Sequence, residues 1–158
     1  MSNNLTIAEN DKLKKAISLI TILIAGADGN IEKDELTWAK KIAGVREYGP
    51  PTLLHGFYQE VGVDYDETVN GYLETLPEDT AERTSIISEH LSELNPILAK
   101  LDNQMAHAYY KSFTSFAEHV AKATGGFMGF FSVSAEEKSL MTLPMLDVIE
   151  YDETAEEE

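Results

Sequence analysis

The chain has 158 residues, 43% of them hydrophobic and 25% charged, which suits one folded domain able to bury a core without disulfides or a structural metal. It contains no cysteine, which excludes disulfides, thiolate metal sites and cysteine nucleophiles together. Its 28 acidic residues against 12 basic ones give a net charge of −16, which excludes a broad phosphate-binding face, disfavours anionic lipid and leaves cations or basic protein surfaces as partners.

Apolar residues recur at spacings of three and four through almost the whole chain, so the pattern predicts an all-α fold, a single compact bundle with short connections. Met1-Ser2-Asn3-Asn4 lacks the charged start of a signal peptide, and Ala16 to Ala27, the longest apolar stretch, is too short to span a bilayer. Both features predict a cytoplasmic protein without membrane insertion. After an extension over 1–7, the first helix is expected from about Glu9 to Ala27. Leu13, Ile17, Ile20 and Ile24 form its stripe, and Ala16, Leu19 and Leu23 widen it until most of the helix must be covered. Gly29 is expected to end it. A second helix from about Glu32 to Ala43 shows Leu36, Ala39 and Ile42 to the core, and Gly44 is expected to stop it.

Gly49-Pro50-Pro51-Thr52 reads as a loop into a short helix carrying Leu53, Leu54, Phe57 and Val61. Gly62 and Asp64 are expected to break that helix, with another from Asp66 to Leu76 ended by Pro77. A longer helix follows, capped by Asp79 or Thr80, with Ile86, Ile87, Leu91 and Leu94 inward. At Asn95-Pro96 the chain restarts or kinks. Leu98, Leu101, Met105, Tyr109, Phe113, Phe116 and Val120 then carry the stripe to Ala123. After a glycine-rich aromatic loop, a last helix is expected from about Ala135 to Ile149, interrupted or shifted by Pro144. The domain thus covers 8–150, and 151–158 is an acidic, disordered tail.

Two corners carry the chemistry. Asp28-Gly29, then Glu35, reproduces the second half of an EF-hand loop, with Ile31 in the apolar place after the glycine. The first half is missing, because the first and third ligand positions fall on Ile24 and Gly26, which bring no side-chain oxygen. A true EF-hand is excluded. A divalent cation held by Asp28, Asn30, Glu35 and, from the second corner, Glu137 stands against a capping reading. In the latter, Ser134 and Glu137 make an S-x-x-E box and the acids satisfy helix N-termini. The loop residues Phe127, Phe130 and Phe131 either cover the end of the bundle or present an apolar patch to a partner or a second copy.

Other chemistry lacks its signature. His55, His90, His107 and His119 form no His-Glu-x-x-His or Glu-x-x-His spacing, and neither a G-x-S-x-G nor a phosphate-binding glycine loop occurs. The sequence therefore predicts no enzyme.

Ala27-Asp28-Gly29-Asn30-Ile31 with Glu35, and Ala123-Thr124-Gly125-Gly126-Phe127 with Ser134 and Glu137, resemble the two corners of the TerB-like family of tellurite-resistance proteins. That resemblance implies about seven helices with two pseudo-repeated helix–turn–helix corners. It also implies a non-catalytic binding or adaptor role in a bacterial stress system, with a divalent cation and protein complexes at the inner face of the membrane as partners. Carried over, the family's acidic positions are Asp28, Glu35 and Glu137. Glu32 departs from the family, which often has serine or threonine there, and residues 49–101 show no matching signature. The alternative is a pure protein-interaction module, or a homodimer, built on the phenylalanine loop.

Overall fold

The computed structural model describes residues 5–27, 33–48, 53–124 and 135–150. Among them the regular structure is helical: α1 (Ile7–Ala25), α2 (Lys33–Tyr48), α3 (His55–Thr75), α4 (Thr80–Ser92), α5 (Leu94–Leu98), α6 (Asn103–Thr124) and α7 (Ala135–Leu140). Glu93 keeps helical dihedrals between α4 and α5. The two therefore run on from one another with a one-residue break, and the described residues form six helical rods rather than the seven expected. The helix–turn–helix corners that suggested a repeat fall on residues 28–32 and 125–134, outside the described residues.

The widened apolar stripe of α1 makes it the central helix. Every residue from Ala16 to Ala25 is buried, and α2, α3, α4, α5, α6 and α7 all pack against it. A helix apolar on all sides has no stable place except inside other helices. It starts two residues earlier than expected because Thr6 and Glu9 form a capping box. The Thr6 hydroxyl accepts from the Glu9 N–H at 3.1 Å, and the Glu9 carboxylate accepts from the Thr6 N–H at 3.0 Å. It ends at Gly26 rather than at Gly29.

Three further boundaries differ from the sequence expectation. Helix α2 runs through Gly44 to Tyr48. A lone glycine weakens a helix by about 1 kcal/mol, less than the burial of Ala39 and Ala43 against the neighbouring helices returns. The two short helices expected around Gly62 and Asp64 are one helix, α3, kinked at Asp64 (φ −128°, ψ 21°). Phe57, Tyr58, Val61, Tyr65 and Val69 keep helical spacing across the kink and bury both halves. Helix α7 stops at Leu140 instead of continuing to Ile149. A proline at 144 has no N–H to give and its ring would strike the carbonyl of residue 140, so the helix cannot continue through it.

Helices α3 and α6, which both pack on α1, share an aromatic cluster. Phe57 meets Tyr109 edge to face, with centroids 5.1 Å apart, and leans on Phe113 and Tyr58. The α6 stripe predicted from its spacing is the buried one, with Tyr109, Phe113, Phe116 and Val120 fully enclosed. Asp79 caps α4 as expected, accepting from the Glu82 N–H at 2.9 Å.

Beyond α7 the chain turns and lays a strap, residues 143–150, back over the bundle. Leu143 and Leu146 are buried in the core, and Met145 and Ile149 pack on its edge.

Candidate functional site

The residues singled out by sequence fall mostly outside what the structure describes. Asp28, Asn30, Phe127, Phe130 and Phe131 lie outside the described residues. Glu35 and Glu137 sit in the first turns of α2 and α7, and their side chains are likewise outside it. The carboxylates expected to share an ion, and the rings expected to meet a partner, are therefore not placed relative to one another. No three His, Asp or Glu side chains converge as metal ligands among the described residues.

What the structure does place is the stem of the first corner, where Arg83 sits. This arginine stands on the inner stripe of α4 with Ile87 and Leu91, and it is only 6% exposed. Its guanidinium donates to the Gly26 carbonyl at 3.0 Å and to the Glu78 carbonyl at 3.1 Å. The last turn of α1 has no basic residue of its own. Arg83, from a helix 57 positions away, thus puts a positive charge on the negative end of the α1 dipole. Both backbone oxygens at the EF-hand-like positions are engaged: Gly26 by this guanidinium, and Ile24 by the Ala27 N–H at 3.3 Å.

Withdrawing Arg83 has an electrostatic consequence. Residues 47–99 contain eleven Asp and Glu and, as their one Lys or Arg, Arg83, so they hold ten of the sixteen units of net negative charge. On α3 the acids are ordered. Glu60, Asp64, Glu67 and Glu74 are all exposed, follow one another at helical spacing, and lie opposite the buried Val61, Tyr65 and Val69. Asp66, beside this stripe, pairs with Lys40 of α2 at 2.7 Å. Glu78, just before α4, and Glu82 and Glu89 on it are exposed as well. Val63, 85% exposed, stands next to Asp64 at the kink.

Two of the buried tyrosines have phenols shifted furthest by burial. Tyr65 shares a 2.9 Å hydrogen bond with Thr21 of α1, and burial pushes its phenol up to about 12. Tyr109 is wholly enclosed, its hydroxyl has no partner among the described residues, and burial pushes it too up to about 12. Both are kept neutral, which suits packing rather than proton transfer at ordinary pH.

Sequence reading passed over Arg83, though a signal was present: 83, 87, 91 and 94 form one stripe, and an arginine on an otherwise apolar stripe has to find acceptors inside. In the structure the Asn95 amide donates to the Met145 carbonyl at 3.1 Å and accepts from the Asp147 N–H at 2.9 Å.

No family model matches the chain, and comparison with curated proteins and with solved structures gives no match. Among the described residues no helix is long and apolar enough to cross a membrane.

Proposed function

We propose that this chain is a non-catalytic interaction module, an adaptor of the bacterial stress-response type that its two corners resemble, and that the acidic stripe of α3 receives a basic protein partner. One observation carries the reading: Glu60, Asp64, Glu67 and Glu74 line the solvent side of a helix whose other side is buried, while the one cation in residues 47–99 is turned inward. A face charged this way repels nucleic acid, speeds encounter with basic surfaces and selects against acidic ones. Val63 beside the stripe adds an apolar contact at its kink.

Between the two roles for the corner carboxylates, Arg83 favours capping. The Gly26 carbonyl, two residues before Asp28 in sequence, already holds a guanidinium, whose charge disfavours a second cation near it. A hard ion that wants six to eight oxygens also loses the Gly26 carbonyl to that guanidinium. Thermal unfolding across calcium, magnesium, manganese and zinc, for the native chain and Asp28→Asn, separates the roles. A bound cation at a hundredfold excess over its Kd would add about 2.7 kcal/mol, lost in the variant; the capping role predicts no cation-specific rise.

The interaction reading is tested by titrating a lysine- and arginine-rich peptide calorimetrically at low and moderate salt. Neutralising Glu60, Asp64, Glu67 and Glu74 to the amides should weaken binding tenfold or more. Neutralising Asp11, Glu118, Asp147 and Glu150 instead should change it less than twofold. Equal losses from the two sets would reduce the interaction to bulk charge and remove the α3 site.

A further inference from the structure

The strap is held in an unusual manner. Besides its leucines, residues 145–150 are fixed by three side chains that bond their main chain. Asn95 brackets the strap by bonding both the Met145 carbonyl and the Asp147 N–H. The Asn103 amide donates to the Glu150 carbonyl at 3.1 Å, and His107 Nδ1 donates to the Ile149 carbonyl at 2.8 Å. Side chains of α5 and α6 therefore behave as a receptor for the backbone of an irregular segment whose Leu143 and Leu146 are buried in the core. The segment is joined to α7, and so to the rest of the bundle, through one short connection.

That connection carries the backbone irregularity. Leu143 has φ 50°, the one left-handed non-glycine among the described residues, and it precedes Pro144. An L side chain resists this region, and a following proline further favours an extended conformation at the residue before it. The closed arrangement holds because Leu143 is fully buried and its N–H bonds the Leu140 carbonyl at 2.9 Å. If the connection straightens, the strain is released while the strap still needs its receptor. A second copy supplies an identical one, with the same donors and the same brackets.

We propose that residues 143–150 are an exchangeable strap, and that two copies of this chain dimerise by each placing its strap on the α5–α6 surface of the other. This surface is separate from the acidic stripe of α3, and the proposal does not rest on the interaction reading. The bonds that Asn95, Asn103 and His107 make to the strap are conserved on exchange, whereas the Leu143 N–H bond to Leu140 belongs to the connection, so the connection decides the balance, as in other exchanges of an identical element between protomers. The proposal commits to a second copy as occupant because the segment's fit to this receptor is already displayed within one chain.

The absence of native cysteine makes the test direct. Asn103 and Glu150 are both exposed and in contact through the Asn103–Glu150 main-chain bond. Chains carrying only Asn103→Cys are mixed with chains carrying only Glu150→Cys, unfolded and refolded together at high concentration, oxidised, and resolved by non-reducing electrophoresis and mass spectrometry. Exchange predicts a covalent heterodimer linked 103 to 150 as the main crosslinked species. Only 103–103 and 150–150 links, or no crosslink, would overturn it. A chain with both substitutions should close on itself when dilute; failure to do so would remove the strap geometry and the proposal with it.

Adding Leu143→Gly to both partners tests the hinge. Glycine accepts the left-handed turn without strain, and the leucine side chain is lost from both arrangements alike. The heterodimer yield should therefore fall roughly tenfold. An unchanged yield would overturn the role given to Leu143.

Discussion

Replacing the buried Arg83 by methionine should destabilise the bundle. The methionine keeps much of the buried stem but removes both donors, leaving the Gly26 and Glu78 carbonyls without their 3.0 and 3.1 Å partners. A bond from a charged donor contributes about 1.5–3 kcal/mol, and a cation against a partly buried helix C-terminus up to about 2 kcal/mol. Opposing these is the desolvation of the guanidinium, several kcal/mol, which the variant no longer bears. The balance leaves a net loss of about 2–4 kcal/mol, because a stranded carbonyl still costs about 1–3 kcal/mol. For a domain of this size that corresponds to a fall in midpoint of about 5–15 °C. Arg83→Lys keeps the charge, but one ammonium cannot bond both carbonyls as the fork does, so it should recover less than half. Urea unfolding followed by circular dichroism gives the free energies, and calorimetry the midpoints. A methionine variant within about 0.5 kcal/mol of the native chain, or full rescue by lysine, would refute the clamp between α4 and the end of α1.

Two pH predictions follow from other contacts. Tyr65 and Tyr109 ionise near 12 rather than 10 because burial disfavours the phenolate, so the folded state keeps protons that the unfolded chain sheds between these values. Their contribution is whole below pH 10 and is lost as the pH rises to 12, about 2–3 kcal/mol for each ring. Urea unfolding from pH 9 to 12 should therefore show a flatter decline in a variant with both changed to phenylalanine. A decline as steep as the native one would count against the buried phenols. At the acid end, the Lys100 ammonium and then the Thr6 N–H hold the Glu9 carboxyl below its ordinary 4.5. That contribution is present above pH 4.5 and disappears as the pH falls through the depressed value. Glu9→Gln should be less stable than the native chain at pH 7 and converge with it in strong acid. Parallel curves throughout would show that the ion pair carries no linkage.

Helix content and the core were legible wherever local spacing and tertiary burial agree. The stripes through Leu13, Ile17, Ile20 and Ile24, and through Tyr109, Phe113, Phe116 and Val120, are buried as their periods require. Boundaries were read less well where glycine competes with packing. Gly44 and the Gly62–Asp64 stretch carry local stop signals, but the inward residues on both sides keep one helical phase, and the helix runs through. At the C-terminus the reverse held: apolar spacing continues to Ile149, and the covalent demand of Pro144 ended α7 at Leu140. The acid-rich face of α3 was present as spacing but hidden within a charge counted over the whole chain. The partners of Arg83 and Asn95 had no local signature, because each binds a main-chain atom some fifty residues distant.

The central place of α1 also bears on how the chain comes off the ribosome. It is synthesised before every helix that covers it, yet all of its residues from Ala16 to Ala25 are buried in the finished bundle. One major cover, α6, lies roughly a hundred residues downstream, which at about 5–20 residues per second leaves the helix incompletely sheathed for about 5–20 s. During that interval an apolar rod is available to any holdase, or to a neighbouring nascent chain. Slow translation between α2 and α6 would therefore lower the yield of soluble protein, without altering the stability of molecules already folded.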